Sequence, residues 1–460
     1  MDNPEHDPLP LNYRLEEVSR IYSHIAAGNS CQVIGIGSVG KSNLLRFLSR
    51  EDLRRGQLGP EWKRTLFIYV DSNKLIQQSE WGAEWSVWEL MLHQMLVELT
   101  GANVPIKMLE QIDNLYRQAV DGTTHHVALR YLDRAVSLAC KGEGLKIVFL
   151  FDEFDNLYGA FPSQVFDALR ALRDDHKYQL MYVVAARKEL SRLRKTETSS
   201  EAFEEIIIEN TIWLTAYSES DALDMLHRII RRHKKTLNQQ QTHELLKLTG
   251  GHPGLIRAIF STMKQQPSPE LDIAAGSLSV QDECMRIWLS VTREEQKILT
   301  ALANDAKQSV PSHILDQLRC KGLVDGNWVE AGQIFSSIFA SFILKEKPTI
   351  GARIRVDRQK RIVWVDERKI ANLSRLEFDL LSFLEKHRGQ ACTRDEIGRE
   401  IYPEEVSKDG FGDNRIDSIV KRLRQEIEAN PKTPEFIKNV HGVGFRLIDG
   451  ETAKGLDEDN

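Results

Sequence analysis

The 460-residue sequence has few cysteines, no long apolar run and no strong excess of charge. Its five cysteines are scattered without the C-x-x-C spacing of zinc sites or redox motifs, at Cys31, Cys140, Cys284, Cys320 and Cys392. Neither a disulfide framework nor a metal cluster is indicated. No run is apolar enough to span a bilayer, and the first residues lack the basic and apolar regions of a signal peptide. We expect a cytoplasmic protein without a membrane partner.

The chain also lacks internal repeats, and its formal charge of -6 is an average over several domains. A chain of this length exceeds one hydrophobic core, so two to four domains are expected. Any basic surface that meets nucleic acid must therefore be local.

A glycine-rich loop lies between a short apolar run and a helical pattern. Gly35, Gly40, Lys41 and Ser42 have the spacing of a phosphate-binding loop, G-x-x-x-x-G-K-S/T. Such a loop needs glycine because successive N–H groups must converge on a polyphosphate. Lys41 would contact the outer phosphates and Ser42 would bind Mg²⁺. The predicted nucleotide-binding residues here are Gly35, Gly37, Ser38, Val39, Gly40, Lys41, Ser42 and Asn43.

A second chemical signal follows the apolar run 146–151, which ends directly in Asp152 and Glu153. A buried parallel strand delivers such carboxylates to the sheet edge where ligands bind. We predict that Asp152 holds Mg²⁺ and that Glu153 polarises the attacking water. The next apolar run, 179–185, is followed by Arg187, which either senses the γ-phosphate or faces solvent.

The remaining sheet strands are predicted at 65–71 and, closing the sheet, at 206–214. Between them, Trp81, Trp85, Trp88, Leu92 and Met95 recur at helical spacing. Such a stripe is far more often core than a stacking surface, and the core interpretation is favoured.

From residue 218 the pattern becomes helical and includes the turn Gly250-Gly-His-Pro-Gly254. Together with the loop, the Phe-Asp-Glu sequence and Arg187, this turn resembles the STAND and origin-recognition-like branch of AAA+ ATPases. The resemblance implies ATP and Mg²⁺ as ligands, a helical lid, and His252 and Pro253 beside the base. For Tyr13 and Arg14 two interpretations stay open: a position near the base, as the resemblance implies, and a plain packing role. Arg170, Arg173 and Arg187 are candidates for an arginine acting across subunits.

Residues 281–347 have the pattern of a middle winged-helix module. Helices are expected at 289–303 and 314–324, followed by a hairpin-like pair at 325–329 and 334–344. A structural role that holds the ATPase closed is favoured over DNA binding.

The last hundred residues predict a small domain of a different type. Residues 354–370 alternate around a turn as a small antiparallel sheet, and a Ser374/Glu377 capping box opens the next helix. A third helix spans 413–428, and a glycine-containing hairpin spans 436–448.

This segment resembles the OmpR/PhoB-type winged-helix DNA-binding domain, through Leu-x-x-Leu-Glu-Phe-x-Leu-Leu at 373–381, Asp413-Asn-Arg-Ile-Asp417 and the ending 437–446. The resemblance implies that the third helix enters the major groove and that the hairpin forms a wing. By position, the implied DNA-binding residues are Arg415, Ser418, Ile419, Lys421, Arg422, Arg424, His441 and Arg446. Glu426 and Glu428 are expected to weaken binding by a single copy.

The predicted fold class is an α/β P-loop NTPase with a helical lid, a middle winged-helix module and a C-terminal OmpR-type winged helix. The predicted domain boundaries are 1–216, 217–280, 281–347 and 348–449, with an acidic tail at 450–460. The favoured function is an ATP-controlled, double-stranded-DNA-binding transcription regulator that forms homo-oligomers with ATP. The alternatives are a STAND-type signalling or antiviral-defence ATPase, triggered by an unknown protein or nucleic acid, and an origin-binding, DNA-loading ATPase.

Overall fold

The computed structural model describes residues 8–75, 83–102, 104–121, 127–193, 201–233, 237–264, 271–304, 311–325, 332–346, 354–358, 361–365, 368–370, 373–402, 413–428, 430–440 and 442–448. The chain forms two compact units. The first comprises Met1–Val291 with Ile298–Lys347, and the second comprises Thr292–Lys297 with Pro348–Asn460. The finer division into core, lid, middle module, DNA-binding domain and tail stays a prediction.

The α-helices are α1 (Leu15–Ala26), α2 (Lys41–Leu48), α3 (Glu51–Leu58), α4 (Ala83–Gly101), α5 (Ile106–Ala119), α6 (Ala128–Ser137), α7 (Phe154–Ala160), α8 (Ser163–Asp175), α9 (Glu201–Ile208), α10 (Glu219–His233), α11 (Gln239–Thr249), α12 (Pro253–Lys264), α13 (Leu271–Ala275), α14 (Leu278–Leu289), α15 (Arg293–Ala303), α16 (Ser312–Cys320), α17 (Ser337–Glu346), α18 (Arg375–Lys386), α19 (Arg394–Ile401) and α20 (Asp413–Ile427).

The strands are β1 (Cys31–Ile34), β2 (Thr65–Asp71), β3 (Lys146–Asp152), β4 (Leu180–Ala186), β5 (Thr211–Trp213), β6 (Ile354–Asp357), β7 (Ile362–Val365), β8 (Arg368–Ile370), β9 (Ala391–Thr393), β10 (Ile437–Val440) and β11 (Gly444–Leu447).

The first unit is built on a parallel sheet with strand order β2-β3-β4-β1-β5. Strands β1 and β4 are buried along their whole length, as expected for apolar runs covered on both faces. Because β4 lies between β1 and β3, the loop after β4 emerges between the loops that follow β1 and β3. This order brings the predicted phosphate loop, Arg187 and the two carboxylates to one edge of the sheet.

The predicted tryptophan stripe lies on α4 and packs into the core of this unit. Trp88 is buried, and Trp85 is half-buried with its indole N–H donating to the Ala119 carbonyl at 2.9 Å. The core interpretation is therefore confirmed for these residues and for their helical neighbours Leu92, Met95 and Leu99. Trp81 lies outside the described residues.

Two predicted strands, at 206–214 and 334–344, are helical over part of their length. Residues 201–208 form α9, so only Thr211–Trp213 closes the sheet. Phe203 and Ile207, four residues apart, are buried on one face of α9, and this helix contains the apolar run that reads as a strand in the sequence. The predicted hairpin arm at 334–344 is wrong in the same way, because Ser337–Glu346 form α17 and only a single bridge joins Val324 and Ile334.

The second unit contains two antiparallel sheets, β6-β7-β8 and β10-β11-β9, with helices α18, α19 and α20. The predicted early sheet, the Ser374/Glu377 capping box and the final hairpin are confirmed. Strand β9 was not predicted; its three residues pair with β11 and complete the second sheet. Among the described residues, no helix is both long enough and apolar enough to cross a membrane.

Candidate nucleotide site and DNA interface

The phosphate loop, Gly35–Ser42, joins β1 to α2 through backbone conformations that suit glycine. Gly40 has φ 105°, in the region that favours glycine, and Ser38 also has a positive φ of 56°. A Cβ on Gly35 would lie 2.8 Å from the Leu214 carbonyl oxygen, so no side chain fits there without movement. The loop therefore turns tightly at the amino end of α2, where backbone N–H groups attract anions.

Lys41 is buried, and its ammonium group donates to two carbonyls of its own loop. The distances from Nζ are 2.7 Å to the Gly35 oxygen and 3.1 Å to the Ile36 oxygen. Ser42 is half-buried in the first turn of α2, and Asn43 beside it is exposed. The loop thus concentrates one cation and a hydroxyl at the amino end of a helix.

The predicted lid turn, Gly250–Gly254, packs directly against the phosphate loop. His252 is completely buried, and its Nε2 lies 3.0 Å from the Gly37 carbonyl oxygen. Burial lowers the pKa of His252 to about 3, so the ring is neutral and donates through Nε2. A Cβ on Gly254 would lie 2.8 Å from the Ser38 Cβ, so this contact requires glycine. Pro253, the first residue of α12, is also buried.

Tyr13, Arg14 and Tyr217 form a polar cover over Gly40. The two phenol oxygens are 3.1 Å apart, and a Cβ on Gly40 would approach them within 3.4 to 3.5 Å. The Arg14 guanidinium is buried, lies over the Tyr217 ring, and donates to the Val39 carbonyl at 3.0 Å. Tyr217 was not predicted to belong to the site; its only signal in the sequence is its place shortly after the last strand of the sheet.

Asp152 and Glu153 stand at the carboxyl end of β3. Asp152 is buried, and its two oxygens accept one bond each, from the Glu153 N–H at 3.0 Å and from the Tyr69 hydroxyl at 2.6 Å. Burial, and then the neighbouring Asp152, raise the pKa of Tyr69, so the phenol keeps its proton and donates. Glu153 has φ 50°, which turns the chain sharply into α7. Tyr69 was not predicted to belong to the site.

Arg187 pairs with the carboxylate that is predicted to activate water. Its Nη2 lies 2.6 Å from Glu153 Oε2, and its backbone N–H donates to Asp155 Oδ1 at 2.7 Å. Both side chains are about three-quarters buried, with 24% of the Arg187 side chain and 21% of the Glu153 side chain exposed. Arg187 therefore does not simply face solvent.

The other arginines considered for a role across subunits are engaged locally. Arg170 pairs with Asp174 at 2.7 Å and donates to the Ala202 carbonyl at 2.6 Å. Arg173 is buried and pairs with the same Asp174 at 3.1 Å.

In the second unit, α20 presents a mixed exposed and buried surface. Arg415, Ser418, Lys421 and Arg422 are exposed, as expected of a helix that reads DNA. Arg415 lies over the Tyr402 ring, and Arg422 pairs with Glu377 at 3.1 Å.

The prediction that Ile419 reads DNA is wrong. Its side chain is 2% exposed and belongs to the hydrophobic core of this unit, together with Ile416, Val420 and Leu423. At helical period these four positions form the apolar stripe that holds α20 against the domain. A residue buried there cannot reach a base.

Two charged residues connect the end of α20 to the wing, the hairpin formed by β10 and β11. Arg424 is half-buried and donates through Nη2 to the Ile437 carbonyl at 2.6 Å and to Asn439 Oδ1 at 2.9 Å. Glu428 is buried and accepts backbone N–H groups from the segment that leads into β10. Glu428 therefore stabilises the segment before β10, and its effect on DNA binding stays a prediction. Arg446 is half-buried on β11, and His441 lies outside the described residues.

Comparison with known proteins identifies the C-terminal segment. Residues 367–447 match the family described as "Transcriptional regulatory protein, C terminal". The solved DNA-binding domain of Bacillus subtilis CssR is 32% identical over 20% of this chain and 98% of that chain, with a TM-score of 0.16. The Klebsiella pneumoniae RstA DNA-binding domain, solved with the RstA box, is 29% identical over 21% of this chain and 93% of that chain, with a TM-score of 0.19.

A larger part of the chain is similar to the ORC2 protein of Aeropyrum pernix, solved as ADPNP–ADP complexes. The identity is 14% over 75% of this chain and 98% of that chain, with a TM-score of 0.39. The sheet of the first unit is parallel, with the predicted phosphate loop after β1 and two carboxylates at the end of β3. Residues 367–447 of the chain belong to the transcriptional regulatory protein C-terminal family, and they form its OmpR/PhoB-type winged-helix domain.

Proposed function

We propose that this protein is an ATP-controlled DNA-binding protein and a cytoplasmic transcription regulator. ATP binding and hydrolysis in the first unit switch its oligomeric state, and the oligomer sets how many winged helices engage DNA together. One observation carries the proposal. A single chain combines a phosphate loop and the acidic end of a strand, both at one edge of its sheet, with a DNA-binding domain of the transcriptional regulator family.

In this proposal the first unit binds ATP through residues of the phosphate loop. The N–H groups at the start of α2 bind the phosphates, and Lys41 exchanges its carbonyl partners for phosphate oxygens. Ser42 and Asp152 supply the hard oxygen ligands that Mg²⁺ prefers, so this donor set fits that metal. When bound, Mg²⁺ neutralises charge on the phosphate oxygens. His252 keeps the lid turn against the loop.

Hydrolysis requires Glu153 to orient a water molecule toward the γ-phosphate. Arg187 engages one oxygen of its carboxylate, Oε2, at 2.6 Å, and opening of this ion pair would free the guanidinium. Arg187 then faces the γ-phosphate, for which a guanidinium is a strong partner. A slow opening of this pair would suit a switch better than rapid turnover.

DNA engagement rests on the exposed surface of α20. Arg415, Lys421 and Arg422 supply the positive charge, and Ser418 supplies a hydroxyl within the same face. One copy offers few phosphate contacts, so its affinity is modest and falls with salt. Two copies held in one oligomer bind far more tightly because the second contact benefits from a high effective concentration.

The test is the mass of the particle with and without ATP, each with and without DNA. The proposal expects a larger assembly with ATP and Mg²⁺, and DNA bound by that assembly. Occupancy across the genome separates the alternatives. Discrete promoter sites support a regulator, a lack of sites favours a STAND-type signalling or defence ATPase, and a particle that encircles DNA favours a DNA-loading ATPase.

A further inference from the structure

Tyr69 connects the acidic end of β3 to the phosphate-loop helix. It lies on β2, directly beside β3, and its hydroxyl donates to Asp152 Oδ2 at 2.6 Å. Asp152 is 3% exposed, so its carboxylate depends on protein donors for its orientation. The other donor is the Glu153 N–H to Oδ1 at 3.0 Å. Each carboxylate oxygen therefore has one fixed donor and retains a free lone pair.

Arg46 lies over the ring of Tyr69. The Arg46 guanidinium carbon lies 4.9 Å from the ring centroid, which is within cation–π range. Arg46 is on α2, four residues after Ser42, so the two side chains share one face of that helix. Arg46, Tyr69 and Asp152 thus form a chain of contacts that links α2 to β3.

We propose that Tyr69 is a positioning residue for the magnesium carboxylate. Tyr69 fixes the rotation of the Asp152 side chain, so that the Asp152 carboxylate keeps a constant position relative to the Ser42 hydroxyl. Arg46 in turn fixes the ring of Tyr69. The inference rests on the proposed function, because it assigns a role toward the Mg²⁺ that accompanies ATP. Groups that orient a metal ligand commonly change metal affinity by about 10- to 100-fold when they are removed.

A purely structural role makes a different prediction. If Tyr69 only satisfied a buried carboxylate, its loss would lower the stability of the fold and would change ATP binding equally with and without metal. If it positions Asp152 for Mg²⁺, its loss changes the metal dependence alone.

The experiment measures the dissociation constant for ATP by calorimetry on the full chain, in EDTA and at increasing free Mg²⁺. Tyr69→Phe removes the hydroxyl and keeps the ring beside Arg46. We expect the free Mg²⁺ that gives half of the metal-dependent tightening to rise about tenfold, with ATP affinity in EDTA unchanged. Arg46→Ala should shift the same midpoint in the same direction by a smaller factor.

Tyr116→Phe is the matched control. Tyr116 is also half-buried and its hydroxyl also donates to a carboxylate, Glu89 Oε1 at 3.0 Å, but on α5 and α4. This variant should keep the wild-type Mg²⁺ midpoint. The inference is overturned if Tyr69→Phe keeps that midpoint, or if it loses as much affinity in EDTA as with Mg²⁺. Wild-type protein that fails to bind ATP, or binds it without any Mg²⁺ effect, overturns the proposed function itself.

Discussion

Lowering the pH from about 7 to about 5 should destabilise the first unit through His252. The ring is fully buried against the Gly37 carbonyl, and burial lowers its pKa from 6.5 to about 3. In the unfolded chain His252 binds a proton below its ordinary pKa, whereas in the folded protein it stays neutral. The stabilisation is therefore complete above 6.5 and is lost progressively as the pH falls toward 3.

The magnitude follows from proton linkage. Well below the pKa of His252 in the unfolded chain, each unit of pH lowers the free energy of unfolding by about 1.4 kcal/mol. The step from about pH 7 to about pH 5 therefore lowers it by about 2 kcal/mol. His252→Gln removes the titration, and its amide replaces the donor to Gly37. At about pH 7 this variant should be less stable by about 1 kcal/mol, since one hydrogen bond is imperfectly replaced.

The assay is urea denaturation followed by fluorescence of Trp85 and Trp88, which lie in the same unit. Between the two pH values the wild type should lose about 2 kcal/mol more than His252→Gln. His313→Gln, which changes an exposed histidine on α16, should keep the wild-type pH difference. Equal pH dependence in the wild type and His252→Gln would refute the burial argument.

Three further predictions concern single side chains. Ile419→Ala should destabilise the second unit by about 2 to 4 kcal/mol in thermal unfolding, whereas Ser418→Ala, at an exposed position, should change the stability of that unit by less than about 0.5 kcal/mol. An Ile419→Ala variant that is fully stable but no longer binds DNA would support a DNA-reading role for Ile419. Glu428→Gln should lower the free energy of unfolding of the second unit by about 1 to 3 kcal/mol and speed amide exchange at the start of β10, because a buried acceptor of several N–H groups is weakened. Unchanged exchange rates would contradict this prediction. Glu153→Gln should slow ATP turnover by about 100-fold or more with unchanged ATP affinity, and wild-type turnover would remove Glu153 from the mechanism.

Local chemistry explains which features the sequence predicted well. The loop around Lys41 and the strand ending at Asp152 are contiguous segments whose apolar runs and polar ends require no knowledge of distant residues. Residues 65–71 form a strand with the predicted bounds. The capping box at Ser374 is likewise local, since its two partners are three residues apart.

Features that depend on tertiary packing were predicted less well. The apolar run at 206–208 fits either a strand or a helix, and the burial of Ile207 on the same face as Phe203 is what favours the helix. Ile419 was assigned to the reading face by position, but its neighbours Ile416 and Leu423 show which face is buried. The partnership of Tyr69 with Asp152 spans 83 residues and follows from the pairing of β2 with β3. A tyrosine near the end of a buried strand is the only local signal for it.

The central claim is that ATP at the phosphate loop controls DNA binding by the winged helix. The most direct test is DNA affinity at one fixed salt concentration, with and without ATP and Mg²⁺, for the wild type and Lys41→Ala on a fragment recovered by genome-wide occupancy. ATP should tighten wild-type binding by about tenfold or more, a coupling of about 1.4 kcal/mol, and should leave Lys41→Ala unchanged. Equal DNA affinity of the two proteins under every nucleotide condition would contradict the claim.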